Sequence, residues 1–172
     1  MPVRSPQRWA VGTVLRSLLD VPDVSASRSI AADPHLVWSL ISDVTRMGEW
    51  SPETTRGVWV KGATGPSVGA RFKGENELGK KSWSTTCEVV EAEPGRSFCF
   101  RVLGGPFGVA LWEYRIEPTD DGCVVTEHWT DDRGWLIRTA GKRMTGVAHD
   151  AEWTRKGMEQ TLERLAAVAE TV

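Results

Sequence analysis

The chain has 172 residues, of which 40% are hydrophobic and 26% charged, and its formal net charge is -2. This length suits one domain, or one domain with a short extension, that buries a sizeable core. The near balance of charge gives no electrostatic reason to expect nucleic acid as a partner. The sequence also lacks the run of about 18 apolar residues that predicts a membrane span.

Cysteine and tryptophan usage narrow the class further. Cys87, Cys99 and Cys123 are odd in number and show no C-x-x-C spacing, which favours reduced, buried thiols in a cytoplasmic protein. Nine tryptophans accompany one tyrosine and four phenylalanines. Large flat side chains fill a core or line a pocket, and their spread over several predicted strands favours a lined cavity.

The N-terminal segment differs in pattern from the rest of the chain, so we predict an arm at 1–22 and a ligand-binding domain at 23–172. The apolar residues of the arm that recur at helical spacing are Val11, Val14, Leu15 and Leu18. One interpretation is an amphipathic arm that packs on the domain. The other is a weak contact with a membrane surface, which Arg4, Arg8 and Trp9 favour.

Two short helices are predicted after a first strand at 24–32. Asp33 can cap the free N–H groups of a helix, and Pro34 fits the first helical position. Asp43 is placed to cap a second short helix, which ends near Gly48. The proline in Trp50-Ser51-Pro52 then disfavours helix in the residue before it.

Six further strands are joined by short turns rich in Gly, Pro and Asp, and they are therefore predicted to pair antiparallel in sequence order. Their predicted bounds are 53–61, 70–77, 82–92, 97–102, 109–117 and 123–131. The last strand leaves two registers open. In one register Val125, Glu127 and Trp129 face the interior, and in the other Val124, Thr126 and His128 do. The tryptophan favours the first register.

The C-terminal region is predicted to be helical over 148–172, with an apolar stripe on one side. The stripe comprises Ala151, Thr154, Met158, Thr161, Leu162, Leu165 and Val168. A sheet with one apolar face needs a cover, and this helix can supply it. The fold class is therefore α+β: a curved antiparallel sheet of about seven strands grips a long C-terminal helix, with two short helices after the first strand.

Particular segments carry a resemblance to a known superfamily. They are Ser27-Arg28-Ser29-Ile30-Ala31-Ala32-Asp33-Pro34, Val37-Trp38, the stretch from Ser42 to Pro52, Val125-Thr126-Glu127, and Gly157-Met158-Glu159 with Leu162 and Leu165. With the order of elements, they make residues 24–170 similar to the START-like helix-grip (SRPBCC) superfamily, in particular its polyketide cyclase/dehydrase and lipid transport group. The resemblance implies a deep apolar cavity between sheet and helix. Members bind lipids, sterols, polyketides or plant hormones, and a minority catalyse ring closure or dehydration.

The alternation of the strands predicts which side chains point into one shared interior. The predicted ligand-binding residues are Trp59, Phe72, Trp83, Phe100, Trp112, Tyr114, Glu127, Trp129 and Met158. Glu127 either pairs with a nearby cation or hydroxyl, or serves a ligand as hydrogen-bond acceptor or general base. Glu127 and Tyr114 are the candidate catalytic residues, because nothing else in the sequence resembles acid/base machinery.

Three other patterns carry less weight. Gly65-Pro66-Ser67-Val68-Gly69 matches the G-x-S-x-G pattern of serine hydrolases, but it precedes a strand rather than a helix. His35, His128 and His149 lack metal-ligand spacing, so we predict structural roles, no metal and no cofactor. The connection at 133–147 has the length of a lid, and its cations either steer an acidic ligand or are merely solvated.

Two functional hypotheses arise from these patterns, and a third stays open. The first is a binding module that carries, buffers or senses a small hydrophobic molecule. The second is a cyclase- or dehydratase-like enzyme that uses the same cavity. An enzyme needs at least two polar groups that converge inside, whereas a carrier needs mainly apolar walls, so the sequence favours binding. The third is a partner-binding subunit with a filled core. We expect the protein to be a monomer or a homodimer.

Overall fold

The computed structural model describes residues 21–104, 107–133 and 150–172. Most of the predicted arm at 1–22, most of the predicted lid at 133–147, and His149 lie outside the described residues. No described helix is both long and apolar enough to cross a membrane.

Seven strands form one antiparallel, curved sheet, as the sequence predicts. They are β1 (Val24–Ile30), β2 (Thr54–Val60), β3 (Arg71–Leu78), β4 (Lys81–Glu93), β5 (Ser97–Gly104), β6 (Phe107–Thr119) and β7 (Gly122–Asp131). Their order across the sheet is β1-β7-β6-β5-β4-β3-β2. Consecutive strands from β2 to β7 are neighbours because their short turns allow only hairpin pairing. The long segment after β1 carries the chain across to the opposite edge.

Two short helices lie in that segment. In α1 (Pro34–Ser42), Asp33 accepts hydrogen bonds from the backbone N–H groups of His35 and Leu36 and so satisfies free donors of the first turn. The 3-10 helix (Val44–Glu49) begins at Asp43, whose carboxylate accepts from the Thr45 N–H. Both caps and both helices agree with the prediction.

The long helix α2 (Ala151–Ala169) covers the concave face of the sheet. Asp150 caps it by accepting from the Trp153 N–H. Its buried side comprises Thr154, Met158, Thr161, Leu162, Leu165, Ala166 and Ala169. Ala151, predicted for this stripe, is exposed, and Val168 is half-buried, so the buried stripe begins one turn later than predicted.

The register of β7 settles the choice that the sequence left open. Val125, Glu127 and Trp129 are buried, whereas Val124, Thr126 and His128 are only partly covered. The His128 ring lies on the outer face, where its Nδ1 is 2.6 Å from the Ser25 hydroxyl on β1. Glu127 therefore points toward α2 and the interior of the molecule.

All three cysteines are buried and free. Burial raises the pKa of the Cys87 thiol to about 12 and raises the pKa values of Cys99 and Cys123 as well. Because the thiolate is the reactive form, we expect an aromatic disulfide reagent to modify the native protein slowly and the urea-unfolded protein rapidly. Rapid modification of even one thiol in the native state would contradict this prediction.

Candidate functional site

A cavity of about 680 Å³ lies between the concave face of the sheet, the 3-10 helix and the first half of α2. This volume is in the range of sites that hold small organic molecules. Aromatic and aliphatic side chains make most of its wall. The aromatic lining residues are Trp50, Phe72, Trp83, Phe100, Trp112, Tyr114, Trp129 and Trp153.

Eight of the nine residues predicted to bind a ligand contribute to this wall, so the structure brings them together. They are Phe72, Trp83, Phe100, Trp112, Tyr114, Glu127, Trp129 and Met158. Trp59 is the exception. Its ring packs edge-on against Phe72, with 5.7 Å between the ring centroids, and it supports the wall from outside the cavity. Alternation alone could not reveal this, because Trp59 shares a face of the sheet with Phe72 but sits on the edge strand β2.

Two lining residues come from the 3-10 helix region, which the strand pattern did not assign to the site. Met47 and Trp50 are buried and face the cavity. Close backbone contact with β2 holds them there, since a Cβ atom on Gly57 would lie 2.3 Å from the Val44 carbonyl oxygen. Only glycine permits this approach. The available sequence signal for this part of the wall was Trp50, a large aromatic residue directly after the predicted second helix.

Glu127 and Tyr114 form the polar centre of the cavity. They are directly opposite each other on β7 and β6, and the Tyr114 hydroxyl donates a 2.7 Å hydrogen bond to Glu127 Oε1. Both side chains are buried, Glu127 being 2% exposed. The second carboxyl oxygen, Oε2, has no hydrogen-bond partner among the described residues. The hydroxyl partner that the sequence predicted for Glu127 is therefore present, but it bonds to only one of the two carboxyl oxygens.

Burial sets the protonation state of this pair. Loss of water raises the pKa of Glu127 to about 8, although the hydrogen bond from Tyr114 opposes the rise. Burial and the neighbouring carboxyl group raise the pKa of Tyr114 well above its ordinary value. At neutral pH Glu127 is therefore mainly a neutral acid with a proton to donate, and Tyr114 is a neutral phenol. This makes Glu127 a hydrogen-bond donor, whereas the sequence predicted an acceptor or a base.

A cation lies near the same end of the cavity. Arg133 contributes to the wall, and its guanidinium stands over the Trp129 ring at 5.6 Å from the centroid. It also forms a bidentate ion pair with Asp131, with Nε–Oδ1 and Nη2–Oδ2 distances of 2.7 and 3.0 Å. This pair holds the arginine beside Trp129 and offsets its charge.

A second buried polar group lies on the other flank of the cavity. Asn76 on β3 is 6% exposed, and its side-chain oxygen accepts a 2.9 Å hydrogen bond from the Thr54 hydroxyl on β2. Thr85 on β4 contacts the Asn76 amide nitrogen at 3.4 Å. All three residues line the cavity. The sequence signal was an asparagine on the inward face of a strand, between the positions of Phe72 and the turn, and the prediction did not use it.

Known proteins share this fold. The family model described as "Polyketide cyclase / dehydrase and lipid transport" matches residues 21–170. The chain belongs to this family. No curated protein matches the sequence.

Several solved structures share the fold of this polyketide cyclase/dehydrase family member. The Polyketide_cyc-like protein Cgl2372 from Corynebacterium glutamicum is 32% identical, with 86% of this chain and 88% of that chain covered and a TM-score of 0.50. Protein CV1439 from Chromobacterium violaceum is 16% identical, with coverages of 87% and 99% and a TM-score of 0.66. The di-domain ARO/CYC StfQ from the steffimycin biosynthetic pathway is 17% identical, with coverages of 86% and 50% and a TM-score of 0.65. The last two likenesses show the fold alone.

The other motifs of this family member do not form sites in the part of the chain that the structure describes. Ser67 of the G-x-S-x-G match is exposed in the loop between β2 and β3, without the strand-to-helix elbow of a hydrolase. No group of three or more His, Cys, Asp or Glu side chains within the described ranges could hold a metal ion.

Proposed function

We propose that this protein binds a small, mainly apolar molecule in the cavity and holds one hydrogen-bond acceptor of that molecule, such as a carbonyl oxygen, through Glu127. The observation that carries the proposal is the Glu127 Oε2 atom, which has no hydrogen-bond partner among the described residues and belongs to a mainly apolar wall. A buried carboxyl group without a partner costs about 1–3 kcal/mol, and a ligand acceptor would remove that cost. Tyr114 orients the carboxyl group by bonding its other oxygen.

Binding is favoured over catalysis by the way the polar groups are used. Acid/base chemistry needs at least two groups that converge on the reacting atoms. The Tyr114 hydroxyl is already committed to Glu127 Oε1, which leaves Oε2 as the one carboxyl oxygen without a partner among the described residues. Most of the remaining wall is aromatic or aliphatic, as a carrier or sensor requires.

An enzyme of the cyclase or dehydratase kind is the second candidate, and one observation favours it. A carboxyl group whose pKa lies near 8 can both give and take a proton close to neutral pH, as a general acid/base must. The family that the chain belongs to includes cyclases and dehydrases by its description. The two candidates differ in whether a bound molecule leaves the cavity unchanged.

Two measurements test the proposed function. Native mass spectrometry of freshly purified protein should show a co-purified small molecule, and incubation should return it with unchanged mass for a carrier. Titration with 2-acetylnaphthalene and with its isostere 2-ethylnaphthalene, followed by tryptophan fluorescence, should then show about tenfold tighter binding of the ketone at pH 6.5.

The pH dependence of ketone binding is the sharper prediction. As pH rises through about 8, Glu127 loses the proton that it donates, so we expect the preference for 2-acetylnaphthalene over 2-ethylnaphthalene to disappear. Glu127→Gln keeps an N–H donor at every pH and should keep the preference across the range. Glu127→Leu should lack the preference throughout. Equal preference in Glu127→Leu and wild-type protein would show that Glu127 does not contact the ketone.

A further inference from the structure

Asn76, Thr54 and Thr85 form a second polar cluster in the cavity wall, which we name the Asn76 cluster. It lies on β2, β3 and β4, whereas Glu127 and Tyr114 lie on β7 and β6, so β5 separates the two polar groups across the sheet. The wall between them is apolar. Phe72 on β3 and Phe100 on β5 meet edge to face there, with 5.2 Å between their ring centroids.

The hydrogen bonding within the Asn76 cluster is uneven. The Asn76 oxygen is well satisfied by the Thr54 hydroxyl at 2.9 Å. Among the described residues, the amide nitrogen reaches only the Gly74 carbonyl oxygen at 3.3 Å and the Thr85 hydroxyl at 3.4 Å, both beyond the usual range for N–H to oxygen bonds. The amide therefore keeps donor capacity that stronger acceptors can use. A buried amide with weak partners is costly in an apolar wall.

The space beside the amide is kept open by a glycine. Gly74 lies two residues before Asn76 on the same face of β3 and also lines the cavity. A Cβ atom at this position would come within 3.0 Å of the Thr85 hydroxyl and 3.8 Å of the Asn76 amide nitrogen. Any larger side chain here would cover the polar atoms that now face the cavity.

We infer that the Asn76 cluster is a second anchor, and that the ligand is an elongated molecule with an apolar body and a hydrogen-bonding oxygen at each end. One oxygen, a carbonyl, meets Glu127, and the other, a hydroxyl or carbonyl, meets the Asn76 amide. Phe72 and Phe100 pack against the apolar body between the two ends. This inference rests on the proposed function, because it uses the same cavity and the same first anchor.

A probe series tests the second anchor without knowledge of the natural ligand. Each probe is 2-acetylnaphthalene with a chain of two to eight carbons at position 6, ending either in a hydroxyl group or in a methyl group. Because the chain is flexible, its length can match the separation of the anchors whatever the shape of the cavity. We expect the hydroxyl probe to bind about tenfold tighter than its methyl partner at one chain length and to show no advantage at the shortest.

Variants test which side chains produce the tighter binding of the hydroxyl probe. Asn76→Leu has a similar volume but no amide, and it should remove the hydroxyl advantage while the ketone preference at the Glu127 end persists. Thr85→Val removes one weak partner of the amide and should keep or increase the hydroxyl advantage. If the cluster only held β2, β3 and β4 together, these variants would change stability and leave the ratio of the two probe affinities unaltered.

The outcomes separate the two proposals. No hydroxyl advantage at any chain length in wild-type protein would overturn the second anchor, and this measurement needs no variant to fold. If the ketone preference persists in that case, the proposed function stands. Loss of both preferences in wild-type protein would contradict the proposed function itself.

Discussion

We expect the free energy of unfolding of the wild-type protein to fall as pH rises from about 4.5 to about 8, because of Glu127. The pKa of this carboxyl group is raised from its ordinary 4.5 to about 8 in the folded state by burial. Between these values the folded state binds the proton and the unfolded state has released it. Stability must therefore decrease with pH across this window and level off above it.

The raised pKa corresponds to an effect of about 2–5 kcal/mol, since one pKa unit equals about 1.4 kcal/mol. Among the described residues, the ionisable groups that share the cavity with Glu127 are Cys87 on β4, Tyr114 on β6, Arg133 after β7 and Glu53 before β2. Burial raises the pKa of Cys87 to about 12, so this thiol stays neutral in the window. Tyr114 stays neutral in this window because its own pKa is raised. Arg133 is held by Asp131, so neither group cancels the effect.

Glu127→Gln isolates the contribution. Glutamine reproduces the neutral acid, accepts from Tyr114 and cannot ionise, so the variant should equal or exceed the wild type by pH 8. His128 titrates in the same window with the opposite sign, because burial lowers its pKa and stability rises with pH as the unfolded imidazole loses its proton. Both proteins contain His128, so its contribution cancels in the difference between their free energies of unfolding, measured by urea denaturation at each pH.

The exposed Glu163 on α2 supplies the matched control. Glu163→Gln should follow the wild-type curve within about 0.5 kcal/mol, because substitutions at exposed positions usually change the free energy of unfolding by no more than this. Measurements should stop near pH 8, before the three buried thiols contribute. A stability difference between wild-type and Glu127→Gln that does not change from pH 4.5 to 8 would show that Glu127 is not buried and neutral.

The sheet and its helix could be predicted from the sequence because local sequence patterns specify each strand. Alternating side chains and turns such as Glu93-Pro94-Gly95 specify hairpins. Gly95 has a φ of +72°, and a Cβ atom there would lie 2.8 Å from the His35 ring, so glycine is required for both backbone and packing. Signals of this kind need no knowledge of the tertiary structure.

The candidate site was predictable where strand register decided it. Once Trp129 was placed inside, Glu127 had to follow it, and pairing of β6 with β7 brings Tyr114 opposite Glu127. A raised pKa or a partner was predictable for a carboxyl group in an apolar cavity, but the size of the rise was not, because it depends on how completely water is excluded from the carboxyl group.

The Asn76 cluster and the position of Trp59 depended on three-dimensional detail. The register shifts between Thr54 and Arg56 on β2, and Thr54 pairs directly with Asn76 on one side of that shift. A sequence pattern does not locate such an irregularity. The same limit explains Trp59, which packs against Phe72 on the neighbouring strand and does not itself line the cavity.

Leu165→Ala should destabilise the protein by about 2–5 kcal/mol, the range for truncating a fully buried leucine. Leu165 is 0% exposed and lies in the C-terminal half of the buried side of α2. It is not part of the cavity wall, so its truncation creates a new void in packed core rather than enlarging an existing space. The cost should therefore lie in the upper part of that range.

A comparison along the same helix makes the result specific. Met158 is also buried but lines the cavity, so Met158→Ala enlarges an existing space and should cost less than Leu165→Ala. Glu163→Ala on the exposed side controls for helix propensity and should change stability by less than about 0.5 kcal/mol. Urea denaturation at pH 6.5, with unchanged m-values, gives all three numbers.

The order of these three losses tests where the ligand space ends and the core begins. If the C-terminal half of α2 packs on the sheet and its N-terminal half borders the cavity, the loss of stability must be largest for Leu165→Ala, intermediate for Met158→Ala and smallest for Glu163→Ala. Added 2-acetylnaphthalene should stabilise the Leu165→Ala protein as much as the wild type if its site is the existing cavity, because Leu165 lies outside the cavity wall and binding acts on the folded state by mass action. A loss at Leu165 below about 0.5 kcal/mol would mean that α2 does not pack on the sheet there, and the cavity would then lack its cover.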